Sequence, residues 1–486
     1  MNRKNPKHTE EQYYKRTHPL TVTSYLKGSV ILLVLPVIQQ ILYRPDNIIE
    51  IIGSMSFSAV YAFAVIFFAF ANYNGLKYYH TDKRIYIRSG VLIKRHFCID
   101  YDKVHVFAIK KRWWAVFLGA VKISFDTSAG GRKTPDVSFW VSLKKVGNFF
   151  KNLRPNKKTD FIYHAGNFRM ALMSASWSNP GTGLLFIAPF ISRIGSILGE
   201  KFQEMFYETF NVQLQLVALG LPPVAATVAN VLIFGWAVAM LIQFFRYANF
   251  SSYCRGRYLL TSRGLLDKSI YVTRIDDIAA LSINQTLTMA LFKLYSAAIF
   301  TVGFGKDKGD KSLIVVAEQK KRLNQSIHAL VPILTEEQKI IRPAKRSWKS
   351  YILVPSCITG GVLVCVTIFS FFDVVSSLIW TILLFALIPL VWWILFRLLS
   401  YKQAMLAVNE QAVIACGYKA LTSKKFIIPY EKIQYINIQQ NIFQRRAGTC
   451  DVKIHLFFES KICHTVKHLP FRQTVRLVEF INNRIR

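Results

Sequence analysis

Two hydrophobic periods alternate along this chain. Long apolar runs give way to stretches in which apolar and polar residues alternate at every second position. The long runs fall at roughly Gly28–Tyr43, Ile51–Tyr73, Gly181–Leu198, Pro222–Phe245, Tyr351–Phe371 and Val374–Leu399, near the ~20 residues a helix needs to cross a bilayer. They come in pairs, so the pattern predicts six transmembrane helices in three hairpins. The first run is short and holds Gln39 and Gln40, and the third holds Arg193. A charge inside a span often marks function; the preferred reading of Arg193 is a tilted or interfacial helix whose side chain snorkels to water.

After each pair comes a segment with one recurring order. A short block, IDYDKV at Ile99–Val104, TRIDDI at Thr273–Ile278 or IPYEKI at Ile428–Ile433, leads into an alternating stretch, HVFAIK, AALSIN or QYINIQ. Period-two alternation predicts strands. A short mixed segment follows, then another alternating strand from Val121, Ala297 or Val452, a turn-rich tip, and an amphipathic helix. In the last helix Val475, Leu477, Val478, Phe480 and Ile481 form the apolar face. Strands closed by one helix suit a small barrel capped at one end. The predicted boundaries are an N-terminal cytosolic segment 1–27, hairpins 28–73, 181–246 and 351–399, modules 74–156, 247–334 and 400–486, and linkers 157–180 and 335–350.

Composition sharpens this picture. The 486 residues are 52% hydrophobic and only 18% charged, yet Lys+Arg number 62 against 27 Asp+Glu, a net charge of +35. That combination excludes disorder and points to a membrane protein with basic aqueous parts. The connections inside the pairs are short and acidic, while Lys and Arg lie outside them. Cytoplasmic segments carry the Lys/Arg excess, so both termini and all modules are expected on the cytoplasmic side of a bacterial cell membrane crossed several times. Topology thus accounts for the charge, and no nucleic-acid partner is expected.

At the level of these blocks the chain resembles the bacterial pleckstrin-homology-like domain of the second type, found in multi-copy membrane proteins of the YdbT-like group. Copy three, IPYEKIQYINIQQNIFQRRAG at Ile428–Gly448, matches best. Copy one keeps YIRSGVLIKRHFCIDYDKV at Tyr86–Val104 and Gly119. Copy two keeps YLLTSRGLL and TRIDDI. The repeat-signature positions are Tyr101, Lys103, Asp276, Asp277, Pro429, Tyr430, Glu431, Lys432 and Gln444. The resemblance implies an α+β membrane protein whose modules are partly open seven-stranded PH-like β-barrels, each closed by a C-terminal helix. It implies no defined ligand.

Catalytic constellations are missing from the sequence. There is no HExxH, GxSxG or DFG-like set. GFGKDKGDKS at Gly303–Ser312 fails as a P-loop because Asp310 separates Gly309 from Lys311. None of the seven cysteines forms a CxxC pair, and reduced thiols are expected. CHTVKH, with Cys463, His464 and His468, offers too few ligands for a metal site, so no metal and no cofactor is expected. Asp100/Asp102 and Asp276/Asp277 read as structural placements in a strand-edge block, and no enzyme activity is expected.

Surface chemistry is the better candidate. Trp favours the headgroup level, and clustered Lys/Arg attract anionic lipid. Lys110, Lys111, Arg112, Trp113 and Trp114 combine both, and Arg445 and Arg446 hold nearly the same place in copy three. Lys94, Arg95, Lys424 and Lys425 flank the strand before the signature block. The alternatives are a packed Trp pair with a solvated basic turn, and a solvated hairpin. The expected function is a non-enzymatic scaffold or regulator binding lipid headgroups or a protein partner in the membrane, with envelope stress and antimicrobial-peptide defence as the processes considered. The alternative is a transporter or lipid translocator using the six-helix bundle.

Overall fold

The computed structural model describes residues 14–26, 48–91, 93–127, 135–147, 149, 161–179, 223–301, 312–332, 337–369, 376–419, 422–456 and 463–485. Alternation does produce strands. In Thr449–Leu456 the buried and half-exposed positions alternate along VKIHL, which places Val452, Ile454 and Leu456 in one core.

Each module has a four-stranded and a three-stranded half. Module one uses β1 (Lys15–Arg16), β2 (Lys77–His80), β3 (Arg84–Ser89) and β4 (Arg95–Asp100), then β5 (Val106–Lys111), β6 (Ala120–Asp126) and β7 (Val137–Ser142). Module two uses β8 (Phe161–His164), β9 (Ser251–Arg255), β10 (Tyr258–Arg263) and β11 (Lys268–Arg274), then β12 (Ile278–Thr286), β13 (Leu294–Thr301) and β14 (Leu313–Gln319). Module three uses β15 (Lys339–Ile341), β16 (Met405–Val408), β17 (Ala412–Lys419) and β18 (Thr422–Pro429), then β19 (Ile433–Gln439), β20 (Thr449–Leu456) and β21 (Cys463–Pro470). The opening strands β1, β8 and β15 come before the apolar stretches in sequence, so each module's sheet brackets the helices that precede the rest of it.

Within a module the two halves meet along one side. His18 N donates to Trp140 O at 2.8 Å in module one. The Tyr163 hydroxyl donates to Val316 O at 2.7 Å in module two. Ala344 N donates to His468 O at 3.4 Å in module three. The helix Phe471–Ile485 seals module three with Thr474, Leu477, Val478 and Ile481 buried at helical spacing. Lys320–Leu330 does the same in module two through Leu323, Ile327 and Leu330.

On the other side each barrel is open, and the opening is where modules join. β5 of module one pairs antiparallel with β11 of module two, and β12 of module two with β18 of module three. The result is two continuous seven-stranded sheets, β7-β6-β5-β11-β10-β9-β8 and β14-β13-β12-β18-β17-β16-β15. Both joints share one register: Phe107 faces Val272 in the first and Leu281 faces Ile427 in the second, the same repeat positions. The cores cross the joints too. Leu260 and Val272 of module two complete the core of module one. Ile414 and Ile427 of module three complete that of module two.

The first joint adds a polar clasp at the end where the signature turns lie. Arg274 Nε donates to Asp277 Oδ2 at 2.7 Å, and His105 Nδ1 of module one lies 2.8 Å from the same oxygen. Arg274 also donates to the Asp102 carbonyl of module one. Burial pushes the Asp277 carboxyl up, but the hydrogen bonds and charges of His105 and Arg274 outweigh it and hold the pKa at about 2.

The expectation of six transmembrane helices in three hairpins is not met. Among the described residues one helix, Lys345–Ile368, is long and apolar enough to cross a membrane. The runs Gly28–Tyr43 and Gly181–Leu198, with Arg193, lie outside the described residues. Ile51–Tyr73 and Pro222–Phe245 contribute the shorter apolar helices Ala62–Gly75 and Val231–Tyr247. Hydropathy alone cannot separate a lipid-facing helix from one ending in a protein core, and the second of these does end in one. Trp236 Nε1 donates to Ala175 O at 3.0 Å. Trp177 meets Tyr247 edge-on at 6.2 Å, and Tyr247 belongs to module two's core. The six-helix bundle that a translocation path would use goes with this correction.

The clasp makes a prediction about pH. A carboxylate with a depressed folded pKa contributes stability above its unfolded value, and this is lost as pH falls through the folded value. Moving Asp277 from 3.8 to about 2 corresponds to about 2 kcal/mol at neutral pH. Asp277→Asn should lower the thermal midpoint of the detergent-solubilised chain at pH 7. The gap from wild type should shrink between about pH 4 and pH 2. A gap constant over that range would show that the clasp contributes by packing alone.

Candidate functional site

Three features recur at one end of every module. The first is the hairpin between the third and fourth strands, which abuts an apolar helix. In module one the end of the helix Ile48–Gly75 touches the hairpin so closely that a Cβ on Gly75 would lie 2.6 Å from the Gly90 carbonyl oxygen. In module two Gly264 N donates to Ala248 O at 2.8 Å and Leu265 N to Phe245 O at 3.0 Å, at the end of the helix Pro223–Tyr247. In module three Tyr418 stacks on Phe396 of the helix Ser376–Gln403 at 6.1 Å. Gly90 and Gly264 hold one repeat position with φ of 101° and 104°, and a Cβ there would meet a carbonyl oxygen at 2.0 and 2.1 Å. Only glycine fits such a turn.

The second feature is a short helix after the fifth strand: Trp113–Phe117, Leu287–Leu291 and Ile442–Ala447. Antiparallel pairing sets the first two beside the hairpin of the next module, because Lys111 faces Lys268 and Thr286 faces Thr422. Trp113 N donates to Asp267 Oδ1 across the first joint at 3.2 Å. The third helix carries a capping box in which Asn441 and Gln444 exchange bonds. Gln444 Nε2 also donates to Asp451 Oδ1 at 2.6 Å, which ties this helix to β20.

The third feature is exposed apolar side chains on these tips. Val91, Ile93, Leu265 and Leu266 project from hairpins. Trp113, Phe117, Leu118, Leu291, Phe292, Ile442 and Phe443 project from short helices or their ends. Large apolar groups at turn tips cost nothing if the tips meet lipid, and mark an interaction surface where they cluster. The helix Lys345–Ile368 is likewise bare, with little of its apolar length covered by protein.

The basic residues divide by role. Lys94, Arg95, Arg112, Arg445 and Arg446 are exposed around the tips. Lys111 stands directly opposite Lys268, a like-charge pairing beside Asp267 at the same joint. Lys110 reaches over the Tyr271 ring at 5.8 Å. Lys425 is held by Glu337 at 2.6 Å, and Lys424 lies opposite Asn284. The Trp pair splits: Trp113 is exposed, whereas Trp114 packs on Trp140 at 5.5 Å.

All the signature residues except Gln444, which caps the tip helix of module three, lie at the opposite end of the strands, in or beside the 3-10 turn between fourth and fifth strands. Tyr101 and Tyr430 plug their modules' cores, the latter donating to Asn409 O at 2.7 Å. Pro429 opens its turn. Lys103 pairs with Asp100 at 3.5 Å and Asp276 with Arg257 at 2.6 Å. Glu431 is exposed and Lys432 half-buried. His468 sits against Tyr351 and near Gln444. Its burial lowers its pKa, with Asp451 opposing and Lys467 and Arg397 reinforcing the shift. The buried signature tyrosines therefore shape the barrels, and the exposed apolar side chains gather at the tips. Sequence reading found the KKRWW tip but not Phe117, Leu291, Phe292 or Phe443; their signal is an apolar pair recurring where the pattern otherwise places polar turn residues.

Open seven-stranded modules, the second and third with a capping helix among the described residues, set beside apolar helices, define a membrane-associated array of PH-like domains. The chain belongs to the bacterial PH domain family, whose model matches at residues 30–157, 211–330 and 354–479. It is similar to the UPF0699 transmembrane protein YdbT of Bacillus subtilis (strain 168), at 21% identity over 474 residues, covering 89% of this chain and 90% of that protein. No solved structure matches.

Gly264→Ala should be the more damaging of two hairpin changes. The strained φ and the clash with Asp267 O should cost about 1–3 kcal/mol and free the hairpin from the Phe245 and Ala248 carbonyls. Amide exchange across 258–274 should accelerate in this variant and stay near wild type in Leu266→Ala. Equal exchange in the two would show that the turn does not depend on glycine.

Proposed function

We propose that this chain is a non-enzymatic membrane scaffold whose three PH-like modules lie on the bilayer surface and bind anionic lipid headgroups there. The observation that carries this is the threefold recurrence of exposed apolar tips beside the ends of apolar helices, with Lys111 and Lys268 face to face between two of them. Tips of this composition insert to headgroup depth, and each nearby Lys or Arg adds about 1 kcal/mol of attraction to an anionic surface. The modules are assigned to the cytoplasmic side. Lys345, Arg346, Lys349, Arg397 and Lys402 cluster near the module-three ends of Trp348–Phe369 and Ser376–Gln403, as positive-inside orientation requires. The distal ends of the barrels, including Glu431, face the cytoplasm and are free for a protein partner.

The test uses the full chain in lipid nanodiscs. A fluorophore on cysteine replacing Phe117, Leu291 or Phe443 should be quenched strongly by nitroxide-labelled lipid, and one replacing Gln411, at the distal turn, weakly. Lys111→Gln with Lys268→Gln should reduce the anionic share of co-purified lipid several-fold. Equal quenching at tips and at Gln411 would overturn the surface reading. Unchanged lipid selectivity would overturn the headgroup assignment. A cysteine replacing Glu431 should label in intact cells only after permeabilisation.

A further inference from the structure

Among the described residues, the two joints leave one fourth strand and one fifth strand without a joint partner. Sheet β1-β2-β3-β4 ends at β4, and sheet β19-β20-β21 ends at β19. In repeat terms β4 is the strand that pairs as β11 and β18, and β19 is the one that pairs as β5 and β12. The first and third modules thus present, among the described residues, the two complementary halves of the joint made twice between modules.

We propose that β4 of one copy pairs antiparallel with β19 of a second copy, so that chains assemble head to tail. The shared register of the internal joints fixes the pairing: Arg95 faces Gln439, His96 faces Ile438, Phe97 faces Asn437, Cys98 faces Ile436 and Ile99 faces Tyr435. The side chains at these positions have the character of a joint without its burial. Phe97 is 44% exposed, whereas its counterparts Tyr271 and Phe426 are 4% and 5% exposed. Tyr435 is 53% exposed, against 3% for Val106 and 0% for Ala280. Cys98 is exposed where Val272 and Ile427 are buried.

The register of the two internal joints selects a second copy as the occupant, and charge does not oppose it. The β4 edge is basic, with Lys94, Arg95 and His96, and the β19 residues opposite them are uncharged, so no like charges meet. The pairing also sets the short helix Ile442–Ala447 beside the hairpin Ser89–Arg95 of the neighbour. That is the arrangement of Trp113–Phe117 and Leu287–Leu291 at the internal joints, and it keeps all apolar tips at one level. A contact between different patches is heterologous and builds a ring if its rotation closes or a filament if it does not.

The experiment exploits the native Cys98. Opposed residues of antiparallel strands have Cα atoms about 4.5–5.5 Å apart, within disulfide range. Ile436→Cys should form covalent dimers and higher multiples when membranes are oxidised. The linkage should disappear on adding Cys98→Ser, and Gln439→Cys, out of register with Cys98, should not link. Because Ile436 packs on module three's core, a second pair guards against misfolding: Phe97→Cys with Asn437→Cys in a Cys98→Ser background should link equally. Absence of multiples from both pairs, linkage within one chain at unchanged mass, or linkage to a different protein would each overturn the proposal.

Discussion

Everything in this molecule depends on the backbone hydrogen bonds of the edge strands at the open side of each barrel. An unpaired edge is a row of unsatisfied donors and acceptors and a template for another strand. Here the fourth strand of one module and the fifth strand of the preceding one satisfy each other. The pairing is more than a seam. A one-residue slip would turn every side chain to the wrong face, and each module borrows apolar residues across the joint to finish its core. Register, core composition and module order are therefore one constraint.

That constraint places the surface we propose to face the membrane. Pairing at one register sets the short helix of each module beside the hairpin of the next, and the hairpin rests on the end of an apolar helix. The tips can then stay apolar, because they continue a surface that the helices already present. The polar clasp of Asp277, Arg274 and His105 lies at the other end of the same strands. Tyr101 and Tyr430 recur there as buried plugs of their modules' cores.

Much of this was legible in the sequence. Strand alternation, the threefold repeat and the closing helices of modules two and three follow from local period, and Leu477, Val478 and Ile481 face inward as the helical pattern requires; part of the closing helix expected in module one lies outside the described residues. The opening strands β1, β8 and β15 were not legible, because two to four residues give no period and lie before an apolar stretch. The hairpin count failed for a different reason. Hydropathy measures how apolar a run is, not what covers it, and Tyr247 is covered by its own module. The joints were invisible because partners such as Val272 and Phe107 lie far apart in sequence. Of the basic candidates, Lys425 looked like a free surface charge, and only Glu337, distant in sequence, shows that it is held in an ion pair.

The most direct test of edge pairing as the organising interaction is hydrogen exchange of the intact chain in nanodiscs, resolved strand by strand. The account predicts that β5 with β11, and β12 with β18, exchange slowly and together, as cooperative units whose members open jointly. The contradictory result is β11 and β18 exchanging at the rate of exposed hairpin tips while their own modules remain protected, which would mean that the modules fold separately and merely lie side by side.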